Sequence, residues 1–459
     1  KTAYEIMPSL VGSEMCIRDR FKEHAQLMEE VVEGFAPITP EIEEKLLHLH
    51  IPLIKETKDG FVAIWDDDKE KEKFVSAFRT LSENIDELYD YIPLDPIPKE
   101  NKWASNVYNK GLTKWYMLFN PRQLLVISML SKIVSEIAEE IASKNDEEFA
   151  AAVATYLAFA IDKLVDYNTI VTGWHRSRAV IEHTYKGPGI TTRAEYCEAI
   201  PPLKNLPWAL EPHIVESGKL TKTAGGILPV LKFLTDQFKG ANLGDRIKIY
   251  NGDATKLSSF LETKVDLINV DPPYFEQVIY SDKSELFWVI LRHSLKPVLP
   301  VLFNGLKHDK WSYTSPTVPR EKEVVTYDKR DKKNRFRKLF KEFMSETVKI
   351  LKDDGRLVLW FTHPTDLAWR TLGEGLYDSG YIVTKVYPLK TEMKTRFVRQ
   401  VHGIAQEMSL IIVAKKGKRS ELTDVYRKAI KESLLENPRF IEKVKEVAEE
   451  SRKIAREAS

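Results

Sequence analysis

The sequence predicts an α/β protein in two parts, a long helical region followed by an open, mostly parallel sheet. Apolar residues recur at helix spacing from Phe21 to about Lys186. From residue 247 the texture changes to short apolar runs, the earlier ones separated by helical patterns, which is the signature of a sheet covered on both faces. With 459 residues, 43% apolar and 30% charged, the chain has enough apolar surface for two or three cores and is no disordered tail.

In the helical part, Leu27, Met28, Val31 and Val32 mark one helix, and Phe74, Phe78 and Leu81 another. The stretch at 92–99 (IPLDPIPK) separates these opening helices from the longer ones after it. Asn120-Pro121 starts a long amphipathic helix through Leu124, Leu125, Ile127 and Ser128, because proline at the first turn wastes no hydrogen bond. A second helix is expected over 147–165. Its alanine-rich run 149–161 reads as buried and is too short to span a bilayer. Residues 187–240 read as a connector with one helix at 228–238. Strands are expected at 247–250, 265–270, 356–361, 381–387 and 408–414, the last two as an antiparallel pair because no helical pattern separates them. Four segments result. Residues 1–20 include a stretch, 4–20, that resembles a translated adapter string and is set aside as non-native. Residues 21–240 are the helical region and connector, 241–418 the α/β part, and 419–459 charged amphipathic helices broken at Asn437-Pro438.

A formal net charge of +1 gives no global field for a polyanion, so any basic surface is local. Residues 329–341 (KRDKKNRFRKLFK) hold eight Lys or Arg and one Asp. Lys332, Lys333, Arg335 and Arg337 in this stretch suit phosphate contacts. A solvated helix with Phe336, Leu339, Phe340 and Phe343 as its apolar face explains them equally well. The two cysteines, Cys16 and Cys197, form no Cys-x-x-Cys pair, so neither a zinc ribbon nor a disulfide framework is expected, no metal is called for, and the cytoplasm is the default compartment.

The segment with the most specific chemistry is Asp271-Pro272-Pro273-Tyr274, directly after the run 265–270. Ligands of open α/β sheets bind beyond the carboxyl ends of strands. An exocyclic amine conjugated to an aromatic ring is a poor nucleophile. The Asp271 carboxylate and the Pro272 carbonyl can accept its two N–H bonds and favour a more pyramidal nitrogen. Two prolines fix the backbone and offer no competing N–H, and Tyr274 can stack on a base flipped out of a duplex. A proline-rich turn capped by Asp is the plain alternative. Asp253, in the stretch 250–254 (YNGDA), ends the preceding run, where a helix-capping Asp is common.

The stretches 276–291 (EQVIYSDKSELFWVIL), 118–125 (LFNPRQLL) and 158–174 (AFAIDKLVDYNTIVTGW), with Thr362-His363 after a later strand, resemble the large adenine-specific DNA methylases in order along residues 92–416. That family carries the Asp-Pro-Pro-Tyr domain interrupted by a helical insertion. The resemblance implies an incomplete Rossmann-like, S-adenosyl-L-methionine-dependent methyltransferase sheet, with adenine N6 of DNA as acceptor. It places Asp253 on the cofactor's adenine amino group and Phe119-Asn120 beside its methionine end, a plain helix start being the equal alternative at Phe119-Asn120; Tyr280 is a candidate for the base pocket. Two departures stand out: the family's occasional zinc ribbon has no cysteines here, and its glycine-rich cofactor loop is absent, Gly225-Gly226 following no strand. The first two strands of the sheet are therefore expected upstream of Lys1, in a missing N-terminal half. Amino methylation of RNA or of cytosine N4, and a nucleic-acid-binding fragment without activity, remain rival readings. Asp282 and Glu285 have the spacing of a capping box at a helix start. Asp166, Tyr167, Asn168 and Trp174 read as a satisfied polar cluster in a core, ahead of a place facing the site.

Overall fold

The computed structural model describes residues 14–50, 54–57, 60–64, 66–144, 146–175, 180–185, 189–193, 196–198, 214–215, 221–222, 226–241, 246–273, 278–303, 313–315, 317–325, 334–363, 366–389, 409–417 and 442. The chain is mixed α/β and divides into two compact units, one of residues 1–249, 280–306 and 311–320, the other of 250–279, 307–310 and 321–459. The expected helices over 419–459 lie outside the described residues except at position 442.

The first unit is helical. Helices α1 (Glu14–Val32), α2 (Pro40–His50) and α3 (Asp68–Glu83) bury Leu27, Val31, Leu46, Phe74 and Phe78 against one another, as the spacing predicted. Asp67 caps α3 by accepting from the Lys69 and Glu70 amides. Between α2 and α3 lies a hairpin, β1 (Ile54–Thr57) with β2 (Gly60–Ala63). Helices α4 (Pro121–Lys144) and α5 (Glu147–Asp166) pack on each other, and each buries small side chains, Ser128, Ser131, Ser135 and Ala138 on α4 and Ala150, Ala154 and Ala158 on α5. The run 149–161 is therefore only half buried. Ala150, Ala151, Ala154, Ala158 and Ala160 are buried, whereas Phe149 and Phe159 are 56% and 46% exposed, because a close backbone approach needs a small-residue face and pushes large rings outward. Two short hairpins come next, β3 (Trp174–His175) with β4 (Val180–Ile181), and β5 (Ile214–Val215) with β6 (Thr221–Lys222). Helix α6 (Ile227–Gln237) sits where the connector helix was expected, and α7 (Tyr280–Ser294) completes the described long helices of the unit.

The second unit holds an open sheet of four strands in the order β7-β8-β10-β9: β7 (Val265–Val270), β8 (Leu351–Phe361), β9 (Tyr381–Leu389) and β10 (Ser409–Lys416). β7 runs parallel to β8, and β10 runs antiparallel to both β8 and β9. The antiparallel pairing of the last two strands is as expected, but the sheet is mixed rather than mostly parallel. The expected strand at 247–250 does not form. Ile247, Ile249 and Tyr250 are exposed coil, and an apolar run without a neighbouring strand to satisfy its backbone has no reason to extend. Among the described residues of this unit, helices cover one face of the sheet. Helices α8 (Asn334–Ile350) and α9 (Asp366–Asp378) cover the face bearing Leu357, Leu359 and Phe361 with Phe336, Phe340, Met344, Leu372 and Leu376. Leu267, Tyr387 and Leu389 remain exposed.

Candidate functional site

Strand β7 delivers the chain at its carboxyl end to Asp271, which is exposed, then to buried Pro272 and half-buried Pro273. Tyr274 lies outside the described residues. Parallel pairing with β8 through Leu267, Ile268, Asn269 and Val270 fixes where the strand ends, and the Trp360 indole donates to Asn269 at 2.9 Å. The acid is thus held at a strand end, outside the apolar cluster.

In the same unit Asp253 caps a short 3-10 segment (Ala254–Ser259) that is kinked at Lys256. Its Oδ1 accepts from the Thr255 amide at 2.9 Å and hydroxyl at 2.6 Å, and its Oδ2 lies 3.5 Å from the Lys322 ammonium. Partial burial works to raise its pKa, but the Thr255 bonds and Lys322 outweigh burial and hold the carboxyl below its ordinary value. The geometry at Asp253 is that of a helix cap.

Of the basic stretch, Lys332 and Lys333 lie outside the described residues. Arg335 donates to the Glu323 carbonyl at 3.3 Å, and Arg337 pairs with Glu374 of α9 at 2.7 Å. Lys341 reaches Asp378 on the same helix at 2.6 Å. The apolar face expected of this helix is present in Phe336, Phe340 and Phe343, so α8 is at once a core helix and one whose Arg337 and Lys341 face acids.

The remaining predicted residues belong to the first unit. Tyr280 is the first residue of α7 and 45% exposed. Phe119 and Asn120 have no exposed surface. Asn120 opens α4 with a reciprocal cap: its Oδ1 accepts from the Gln123 amide at 2.8 Å, and Gln123 Oε1 accepts from the Asn120 amide at 3.0 Å. Its Nδ2 donates to the Tyr196 hydroxyl at 2.8 Å and to Glu198 at 2.9 Å, and Arg122 grips Glu198 through both ends of its guanidinium. The helix-start alternative is realised here, inside a polar network.

That network runs on into a pair of buried histidines, distant in the chain, that no sequence pattern joins. His24 Nε2 faces the Met117 carbonyl at 2.9 Å, so it must donate. In a neutral ring His24 Nδ1 then accepts from His50 Nε2 at 2.8 Å, and His50 Nδ1 accepts from the Tyr196 hydroxyl at 3.1 Å. Burial pushes His24 down to about 4, the Met117 bond opposes this and Arg20 adds to it. His50 is pushed well down by burial, then by His24 and Arg20. Beside them is a space of about 10 Å³, room for one water.

A second buried polar group corrects the capping-box reading. Asp282 and Glu285 do lie in the first turns of α7, but their carboxylates, both without exposure, turn to the Arg320 guanidinium instead of the helix end. Arg320 Nε donates to Asp282 at 2.8 Å and its Nη2 to Glu285. The Lys102 amide donates to Asp282 at 2.8 Å and the Asn101 side chain to Glu285 at 2.7 Å. Reaching a buried cation is worth more to an acid than capping an amide that water can serve. Of the expected core cluster only Asn168 is buried, accepting from Gln123 at 3.3 Å, whereas Asp166, Tyr167 and Trp174 are half-buried.

No family model matches the chain, and no curated protein matches it. Among the described residues no helix is long and apolar enough to cross a membrane.

Proposed function

We propose that the chain carries the amine-holding part of an S-adenosyl-L-methionine-dependent amino-methyltransferase, acting on adenine N6 in DNA. The observation that carries this reading is the exposed acid and two prolines at the carboxyl end of β7, where open α/β sheets bind ligands. An exposed carboxylate next to a buried proline is held in place without contributing to the apolar core. In this role Asp271 and the Pro272 carbonyl accept the two N–H bonds of the flipped base's amine and hold its lone pair toward an incoming methyl group. Tyr274 supplies the stacking surface.

The methyl donor fits the described residues at one point only. Asp253 keeps an ionised carboxylate whose Oδ2 faces Lys322 at 3.5 Å. Phe119 and Asn120 do not fit, because both are fully buried and the Asn120 side chain is committed to Gln123, Tyr196 and Glu198.

The test is transfer of tritium from labelled S-adenosyl-L-methionine to an adenine-containing duplex by the full-length protein. Asp271→Ala is expected to abolish transfer while leaving the melting temperature within about 2 °C, since an exposed side chain contributes little to stability. Retention of most activity by this variant would overturn the assignment. Transfer to RNA or to a cytosine-only duplex, with none to adenine in DNA, would move the substrate elsewhere.

A further inference from the structure

Where α5 ends, Lys163, Asp166 and Tyr167 meet His183, two residues beyond β4, in a cluster that none of the roles above uses. His183 Nδ1 lies 2.5 Å from Asp166 Oδ2, and His183 Nε2 lies 3.1 Å from the Tyr167 hydroxyl. The two rings are 4.5 Å apart and inclined at 43°. The Lys163 ammonium stands 4.9 Å from the centre of the Tyr167 ring. The His183 side chain is 53% exposed while the Asp166 beneath it is 20% exposed. Trp174 and His175, half-buried on β3, continue the aromatic run along the same hairpin.

An acid, an imidazole and a hydroxyl in line invite comparison with a hydrolytic triad, but the hydroxyl is wrong for it. Burial, and then Asp166, push the Tyr167 phenol up to about 12, which leaves a poor nucleophile. Binding suits the arrangement better. An open aromatic face pinned by a carboxylate loses little rotamer freedom when a flat ligand lies on it.

We propose that His183 and Tyr167, with Lys163 beside them, form a stacking platform for an unpaired nucleotide of a nucleic-acid strand. The base lies on the exposed His183 ring, beside the half-buried Tyr167 ring, and the adjoining phosphate is met by Lys163. A base within a duplex has both faces covered by its neighbours, so only an unstacked one can use such a platform. The Asp166 charge disfavours phosphate directly over His183, which assigns the base to the imidazole side and the phosphate to the Lys163 side. Burial and then Asp166 push the carboxyl of Asp162, one turn before Asp166 on α5, well above the ordinary range.

The proposal deepens the nucleic-acid reading above, yet it is tested without methyl transfer and without adenine. Fluorescence anisotropy measures binding of a labelled single-stranded oligothymidylate, and of a mixed-sequence duplex, to the wild-type chain and to Tyr167→Ala, His183→Ala and Tyr167→Phe. Each ring deletion is expected to weaken single-strand binding by about 5- to 150-fold, the range for loss of one base–aromatic stack. Duplex affinity should stay within about twofold, and Tyr167→Phe, which keeps the ring, should bind within about threefold of wild type. Unchanged affinity of both alanine variants, or no binding of the oligothymidylate by the wild type, overturns the platform. Either result leaves the assignment of Asp271 untouched, and an inactive methyl-transfer assay leaves the platform untouched. Circular dichroism of each variant separates loss of the platform from loss of the fold.

Discussion

Replacing Arg320 by Ala removes the guanidinium that Asp282 and Glu285 share while both carboxylates stay buried. The pair is nearly solvent-free, with Arg320 13% exposed and the acids at 0% and 1%, so screening offers little relief. Breaking a buried ion pair by deleting one partner costs about 3–5 kcal/mol. The Lys102 amide and the Asn101 side chain still serve the acids, which places the expectation near the lower bound, about 3 kcal/mol. The cost should depend on pH. Burial already holds Glu285 above its ordinary pKa, with Arg320 pulling the other way. A carboxyl whose folded pKa is raised gives stability that is full below its unfolded value and is lost as pH rises through the folded one. Removing Arg320 raises Glu285 further, so the deficit should grow from pH 5 to pH 8. Urea unfolding followed by the fluorescence of Trp103 and Trp115, both buried in the same unit, reads this directly. A deficit below about 1 kcal/mol at pH 8, or one that does not change with pH, would refute the buried-pair argument. Combining Arg320→Met with Asp282→Asn and Glu285→Gln should recover most of the loss, because the penalty belongs to the unmatched charge and not to the missing contact.

Two further outcomes are expected of the other charged clusters. His24 is held down at about 4 against an ordinary 6.5, so the unfolded chain takes up its proton first on acidification. Stability from this group is full above pH 6.5 and is lost as pH falls toward 4, by about 3 kcal/mol; denaturant titrations across that range should show the loss, and His24→Gln should flatten it. Replacing Lys332, Lys333, Arg335 and Arg337 together by Gln should lower the log–log salt slope of DNA binding by about 0.9 for each phosphate contact removed. An unchanged slope would return this stretch to the solvated-helix reading, in which Arg337, 49% exposed, pairs with Glu374.

The helices were legible because their signal is local: four apolar residues at one helix spacing in α1, and a proline after Asn120 at the start of α4, need no knowledge of partners. Strands were legible only as far as their partners allowed. The run at 247–250 has the composition of a strand and forms none, while β8 begins at Leu351, five residues before its apolar run. Lys352, Asp353, Asp354 and Gly355 look like a turn in sequence. Pairing of Leu351 with Val265, and ion pairs from Lys352 to Asp266 at 2.7 Å and Lys416 to Asp353 at 3.1 Å, draw them into the sheet. The polar networks were the least legible part, because their members meet from far along the chain. Asn101 reaches Glu285 across 184 positions, and His50 reaches Tyr196 across 146.

The acids after β7 show how far residue type alone carries the argument. Asp271, Asp282 and Glu285 lie within fifteen positions, and each has the chemistry to hold an amine or cap a helix. Asp282 and Glu285 sit where water cannot reach and are answered by a cation, which is what a buried charge requires if the fold is to tolerate it. Asp271 sits at a strand end, exposed, beside two prolines that offer no N–H of their own. The core draws little from its charge. On the reading proposed above, the acid at the strand end beside the proline pair is the one that serves an amine outside the fold.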